Sequence, residues 1–188
     1  MLSTDSWRKV DVSVQSLSGN IIDVGATPCL FFNGALHSIA YTKDHTFILS
    51  FDVNDEKFRE IMLPQDYLDE DFLYSKRLVV FKGALALIAF VKGDDDLYDS
   101  MEVCYIWVMR EYGVVESWTK KVVQMGNFLN FYGCTGNGGE FLISKGFDTV
   151  QLFSIDPDNQ SENNHQDHPL KVYTTNFMES LVLLKGKP

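Results

Sequence analysis

The chain has 188 residues, 45% hydrophobic and 13% aromatic, enough for a sizeable core and too apolar for a disordered segment. Its 26 acidic against 16 basic residues leave a formal charge of −10, which argues against recognition of nucleic acid through its phosphates. No apolar run approaches the length that spans a bilayer, and three dispersed cysteines do not make a disulfide framework.

The N-terminal stretch Leu2-Ser3-Thr4-Asp5-Ser6-Trp7-Arg8-Lys9 is polar and lacks the apolar core of a signal peptide. Cys29, Cys104 and Cys134 each lie in an apolar run. They are expected to be buried free thiols in a reducing compartment, and the expected location is cytoplasmic. Asp5-Ser6-Trp7-Arg8-Lys9-Val10 resembles Glu116-Ser117-Trp118-Thr119-Lys120-Lys121 further on, so the chain opens on what reads as the last strand of a repeat unit.

Residues 28–41 and 78–91 share one plan: an apolar run, a two-residue turn ending in Gly, then another apolar run. Asn33-Gly34 is a strong hairpin signal, because a type I′ turn needs positive φ at both central positions. Lys82-Gly83 takes the same place in the second unit, and a third hairpin is expected around Gly136-Asn137-Gly138-Gly139. A third and a fourth strand follow each hairpin. The third strands are residues 46–51, 103–108 and 150–155; the fourth are 58–63, 117–122 and 170–174. Three four-stranded antiparallel units result, at 24–65, 75–124 and 127–175, with no convincing helix. Ser180-Leu181-Val182-Leu183-Leu184-Lys185-Gly186 reads as a further first strand with its turn. The fold expected is all-β, a partial, kelch-like β-propeller of about three blades with half-blade ends. The array reads as a fragment of a larger protein, expected to associate with itself through its open ends.

Half of the 26 carboxylates fall in three segments. The first holds Asp66, Asp69, Glu70 and Asp71, the second Asp94, Asp95, Asp96, Asp99 and Glu102, and the third Asp156, Asp158, Glu162 and Asp167. The first two are expected on one face of the propeller, where they would attract a basic partner. The third, read as a polar insertion over Asp156–Pro169, is expected on the opposite face.

No constellation for catalysis stands out. Gly133–Gly139 lacks the Lys-Ser/Thr and the helix of a phosphate loop and reads as a hairpin. His165-Gln166-Asp167-His168 has too few donors nearby for structural zinc, and Asp94-Asp95-Asp96 lacks the frame of a calcium loop. His37 and His45 are isolated. Neither a Gly-x-Ser-x-Gly elbow nor a Cys–His signature is present. The expectation is a non-enzyme without cofactor, metal, nucleic acid or membrane.

Three segments resemble the F-box-associated domain of plant F-box proteins. They are Pro28-Cys29-Leu30-Phe31-Phe32-Asn33-Gly34-Ala35-Leu36-His37, Ile48-Leu49-Ser50-Phe51-Asp52-Val53-Asn54-Asp55-Glu56-Lys57-Phe58, and the run from Ile106-Trp107-Val108-Met109-Arg110 through Ser117-Trp118-Thr119-Lys120. Within that family the chain resembles most the S-locus F-box proteins of rosaceous fruit trees. The resemblance covers nearly all of residues 1–188 and implies one substrate-recognition β domain, its C-terminal part, with the F-box absent. It further implies a substrate receptor of a cullin-type ubiquitin ligase. Such a receptor meets the Skp adaptor only through the missing F-box, and meets a basic S-locus ribonuclease or another protein substrate through the repeats. The family's allele-variable segments correspond to Asp156–Pro169 and its flanks. Alternatives on the same scaffold are a sugar-binding module using Tyr67, Phe72 and Tyr98 with the acidic loops, or a general protein-interaction propeller with no ubiquitin link.

Overall fold

The computed structural model describes residues 19–25, 29–67, 73–92, 101–135, 139–146 and 150–168. They form an all-β structure of three antiparallel sheets, each made of consecutive strands, as in the blades of a propeller. Blade 1 holds β1 (Asp23–Val24), β2 (Leu30–Phe32), β3 (Ala35–Tyr41), β4 (Thr46–Asp52) and β5 (Lys57–Met62). β1 and β2 both pair with β3, at its two ends, and so share the place of one first strand. Blade 2 is β6 (Leu73–Phe81), β7 (Ala84–Lys92), β8 (Met101–Met109) and β9 (Trp118–Phe128). Blade 3 is β10 (Asn130–Cys134), β11 (Phe141–Lys145), β12 (Val150–Ile155) and β13 (Glu162–His168). Among the described residues helix is confined to two 3-10 turns, Gln65–Tyr67 and Val115–Ser117. The strand-like runs at Asp5–Val10 and Ser180–Gly186 lie outside the described residues.

The two hairpin turns are equivalent in detail. Asn33 and Gly34 have φ of 49° and 76°, Lys82 and Gly83 49° and 78°. Positive φ at both positions is the type I′ signature, whose twist matches that of the strands it joins. The turn between β10 and β11 closes with Thr135 N–H donating to the Glu140 carbonyl at 2.9 Å. A strand follows it, as a hairpin and not a phosphate loop requires.

Blade 3 departs from expectation at its outer edge. Residues 156–168, expected within an insertion, themselves supply a turn and the strand that pairs with β12, and the strand expected at 170–174 lies outside the described residues. The segment is a tight hairpin followed by β13, paired along β12 from Ile155↔Glu162 to Val150↔His168. The hairpin repeats that of blade 1. Asp52 Oδ1 accepts from Asn54 N–H and Asp55 N–H, both at 2.9 Å, and Glu56 has φ of 53°. Asp156 Oδ1 accepts from Asp158 N–H at 2.8 Å, and Gln160 has φ of 59°. Such local side-chain bonds are what Asp offers a turn. β13 escapes a hydrophobicity pattern because it is an outer edge strand, read as Glu-Asn-Asn-His-Gln-Asp-His.

Blade 2 is covered on both faces. Leu85, Leu87 and Ala89 of β7 and Trp107 and Met109 of β8 point to blade 1, where they meet Leu30, Ile39, Ile48, Ile61 and Leu63. Ala86, Ile88, Phe90, Cys104, Ile106 and Val108 point the other way, into blade 3. That second junction is an aromatic chain: Phe81–Phe141 at 5.9 Å, Phe141–Phe131 at 5.4 Å, then Phe131–Phe90 and Phe90–Phe128 at 5.1 Å each. Tilted and edge-on rings at these separations add to the area they bury. The Cβ of any residue replacing Gly139 would come within 2.8 Å of Lys82 Cγ and 3.0 Å of Phe81 Cε2, so the turn of blade 3 can sit this close to blade 2 only with glycine there.

Cys104 is buried as expected, and Cys134 is partly buried against the same core. Cys29 is exposed, with its sulfur 3.0 Å from Ser38 Oγ, because it precedes β2 and does not belong to the strand. Burial pushes the Cys134 thiol up to about 12 and that of Cys104 also well up. Since the thiolate is the reactive form, an alkylating reagent at pH 8 should modify only Cys29 in the native protein. Mass spectrometry before and after denaturant checks this; native labelling of Cys104 or Cys134 would contradict the buried junction.

The face of blade 1 turned away from blade 2 carries one apolar row across the sheet, Phe31↔Leu36↔Phe51↔Phe58. Phe31 and Leu36 are 44% and 36% exposed. Apolar rows of this kind mark contact surfaces. The chain alone is therefore expected to self-associate, with Leu36→Glu shifting it toward monomer. Light scattering that shows a monodisperse monomer at high concentration would remove this expectation.

Candidate functional site

The acidic residues singled out in the sequence fall into three groups. Asp69, Glu70, Asp71, Asp94, Asp95, Asp96 and Asp99 lie outside the described residues. Glu102 sits on β8 and Asp167 on β13, their strands described but not their side chains. Asp66, Asp158 and Glu162 are described, and each reaches a lysine. Asp66 Oδ2 is 3.8 Å from Lys120 Nζ, and Glu162 accepts from Lys145 Nζ at 2.6 Å. Asp158 takes both Lys121 of β9 and Lys82 of the β6–β7 turn, so a carboxylate of blade 3 is clasped by two cations of blade 2. The bonds from Lys121 and Lys82 lower its pKa to about 2.

Tyr67 is not the exposed sugar platform that its acidic neighbours suggest. It is 3% exposed and wedges between blades 1 and 2, edge-on to Trp107 at 5.6 Å. Trp107 stacks on Tyr105 at 5.7 Å. Lys76 Nζ lies 4.8 Å from the Tyr67 ring centre, and Lys120 Nζ lies 4.5 Å and 5.0 Å from those of Tyr105 and Trp107. Burial raises the Tyr67 hydroxyl and lowers the Lys76 ammonium. Trp118 ties the same two blades together by donating from Nε1 to the Met62 carbonyl at 3.1 Å. Phe72 and Tyr98 lie outside the described residues.

His37 sits at the opposite end of this junction. It is 1% exposed, on the β3 face that packs toward blade 2. Its Nδ1 lies 3.2 Å from the Leu30 carbonyl, which can only accept, so Nδ1 carries the proton. Its Nε2 then accepts from the Tyr112 hydroxyl at 2.7 Å, and Ser50 Oγ lies 3.3 Å from the same hydroxyl. Phe32 adds a ring edge-on to Tyr112 at 5.8 Å. Burial lowers the His37 pKa, partly offset by the backbone carbonyls of Leu30 and Ala35, so the net effect favours the neutral imidazole. The sequence offered one sign of this site, a histidine in an apolar strand. Tyr112 is 75 residues away and had no local mark.

His165, part of the His-Gln-Asp-His run, spends its Nε2 on Ser154 Oγ at 2.8 Å. Among the described residues no three His, Cys, Asp or Glu side chains converge as metal ligands.

Comparison with known proteins agrees with the fold. The profile of the F-box associated beta propeller domain matches residues 1–166, and the chain belongs to that family. It is 35% identical over 142 residues to an F-box protein of Arabidopsis thaliana, covering 65% of this chain and 31% of that protein. It is 30% identical over 118 residues to a putative F-box protein of the same plant, covering 62% and 27% respectively. The chain thus spans less than a third of the length of these curated relatives. No solved structure matches it significantly.

The Asp158 clasp has a definite pH dependence. Its folded pKa lies below the unfolded value, so its stabilisation is present above about pH 4 and lost as pH falls toward about 2. Because the side chains are exposed, the effect is small, below about 1 kcal/mol. Asp158→Asn should lower the melting temperature by a few degrees at pH 7 and leave it unchanged near pH 2. An equal loss at both pH values would mean that the turn, and not the charge, is what the substitution disturbs.

Proposed function

We propose that this member of the F-box-associated family is the substrate-recognition part of a cullin-type ubiquitin ligase receptor. The observation that carries this reading is the family match over residues 1–166, together with F-box proteins as the relatives it resembles. A receptor needs a rigid surface, not a reacting centre. The blades supply one, locked by two apolar junctions and by the Asp158 clasp across the second.

The finer reading is a basic protein substrate, a ribonuclease of the S-locus type, met in the cytoplasm. The formal charge of −10 supports it. Asp66, Asp158 and Glu162 are taken up by lysines within the fold. The encounter charge therefore falls to Asp69, Glu70, Asp71, Asp94, Asp95 and Asp96, with Asp99, Glu102 and Asp167 in support. Charge of this kind accelerates association more than it deepens affinity. The sugar-binding reading loses Tyr67, which is buried between blades 1 and 2.

The test replaces those six residues by Asn or Gln and follows association with a panel of basic secreted ribonucleases as ionic strength is varied. The on-rate should fall about tenfold at low salt and converge with the unmodified chain at high salt. An on-rate unchanged at low salt would remove the acidic segments from recognition. Absence of binding to every ribonuclease would remove that substrate class while leaving the receptor role to be judged by adaptor assembly of the full-length protein.

A further inference from the structure

The β8–β9 connection is longer than a hairpin turn and fastened throughout. Glu111 N–H donates to Ser117 Oγ at 3.0 Å, and Ser117 Oγ donates to the Val114 carbonyl at 2.6 Å. Val114 N–H donates to the Glu111 carbonyl at 3.1 Å, and Gly113 N–H to Met109 Sδ at 3.0 Å. Its tip, Tyr112, is 37% exposed and pinned to blade 1 through His37 and Ser50. The pinning pair is a local exception. His37↔Ser50 in blade 1 stands where blade 2 has Ala86↔Val108, three positions after the glycines of the equivalent turns. A buried apolar pair would serve packing at least as well, since buried polar groups gain little net stability. The imidazole instead fixes where a surface tyrosine stands.

Around Tyr112 the surface is continuous. Phe32 touches its ring edge-on, and the turn after Phe32 joins the β4–β5 turn through Val53 N–H donating to the Gly34 carbonyl at 3.1 Å. Val53 is 45% exposed. Asp55 on the β4–β5 turn and Glu111 and Glu116 on the β8–β9 connection are exposed and form no ion pair among the described residues. Arg110, the basic residue of the loop, directs its Nε to Thr119 Oγ1 at 3.1 Å. The result is a small apolar centre whose rim carries these carboxylates together with Arg110 and, on β5, Lys57 and Arg59, the latter opposite Ser50 in the sheet, on a loop held by its own hydrogen bonds.

We propose that this turn cluster is a docking point for an extended basic protein segment, with a Lys or Arg side chain on the Tyr112 ring and Asp55, Glu111 and Glu116 beside it. A tyrosine face attracts a cation, and rigid Tyr anchors with polar rims are the usual centres of interface energy. His37 is the positioning residue. The cluster is at the other end of the strands from the connections that carry residues 66–71 and 94–102. It is therefore a contact separate from the encounter charge, and it does not depend on the ribonuclease reading.

The probe is an array of 15-residue synthetic peptides graded by net charge, read with the whole chain at physiological salt, with titration of the best binders. Basic peptides should dominate, and Tyr112→Ala should weaken them at least tenfold. Tyr112→Phe keeps the ring but loses the bond to His37. It should cost about threefold and speed hydrogen exchange at Gly113 and Val114, as should His37→Leu; a purely structural histidine would not move those amides selectively. The six-residue acidic variant described above should bind within about threefold of the unmodified chain. The proposal is overturned if no basic peptide binds, if Tyr112→Ala binds as well as the unmodified chain, or if the acidic variant loses binding as Tyr112→Ala is expected to.

Discussion

The structure depends on one sheet with no free face. β7 runs from Ala84 to Val91 without a polar residue because its side chains alternate between two junctions, both dry. Burying a Leu, Ile or Phe side chain contributes roughly 1.5–3 kcal/mol. Leu85, Leu87, Ile88 and Phe90, all at 0–1% exposure, therefore make this strand the densest stabilising element among those described. Its neighbours are organised by it. Blade 1 must offer Ile39, Ile48 and Ile61 to one side, and blade 3 must offer Phe131, Phe141 and Ile143 to the other. A blade whose partner moved away would expose a full apolar face, so the blades fold and function as a stack.

Such a stack leaves polar chemistry only at strand ends and outer edges. That is where the lysines act. Lys82 and Lys121 reach across from blade 2 to Asp158, and Lys120 lies over Tyr105 and Trp107 while reaching Asp66. A carboxylate engaged in this way is a poor substrate contact. Giving it to a partner would leave two ammonium groups to be resolvated, and the exchange gains little. The described acidic residues therefore divide by geometry, those that brace neighbouring blades and those that form no ion pair among the described residues. Composition alone cannot make that division.

Much of the fold was legible in the sequence because its signals are local. Asn33-Gly34 and Lys82-Gly83 dictate their turns by φ, and the apolar, β-branched and aromatic runs at residues 46–51 and 103–108 mark the strands that follow. β13 was not legible, because an outer edge strand needs no apolar side, although Asp156-Pro-Asp-Asn-Gln160 carried the same turn chemistry as Asp52-Val-Asn-Asp-Glu56. Tyr67 was misread for a related reason. It follows Gln65-Asp66 and precedes an acidic run, yet one 3-10 turn is enough to drive its ring into the junction. The His37–Tyr112 contact joins two blades and could be seen only once their packing was known.

The two ends of the first junction differ in a way that bears on function. At one end Tyr67 and Trp107 are sealed in, with the Tyr67 hydroxyl and Trp107 Nε1 lacking a hydrogen-bond partner among the described residues. At the other, each polar atom of the His37 ring has a partner, and the tyrosine that satisfies it reaches solvent. An unsatisfied buried donor costs on the order of 1–3 kcal/mol, so the sealed end tolerates polar loss in exchange for aromatic packing. The open end does the reverse. It spends core volume on a hydrogen-bonded imidazole and obtains a fixed aromatic at the surface. In a repeat fold whose blades otherwise differ little, that asymmetry distinguishes a junction that only holds from one that also presents.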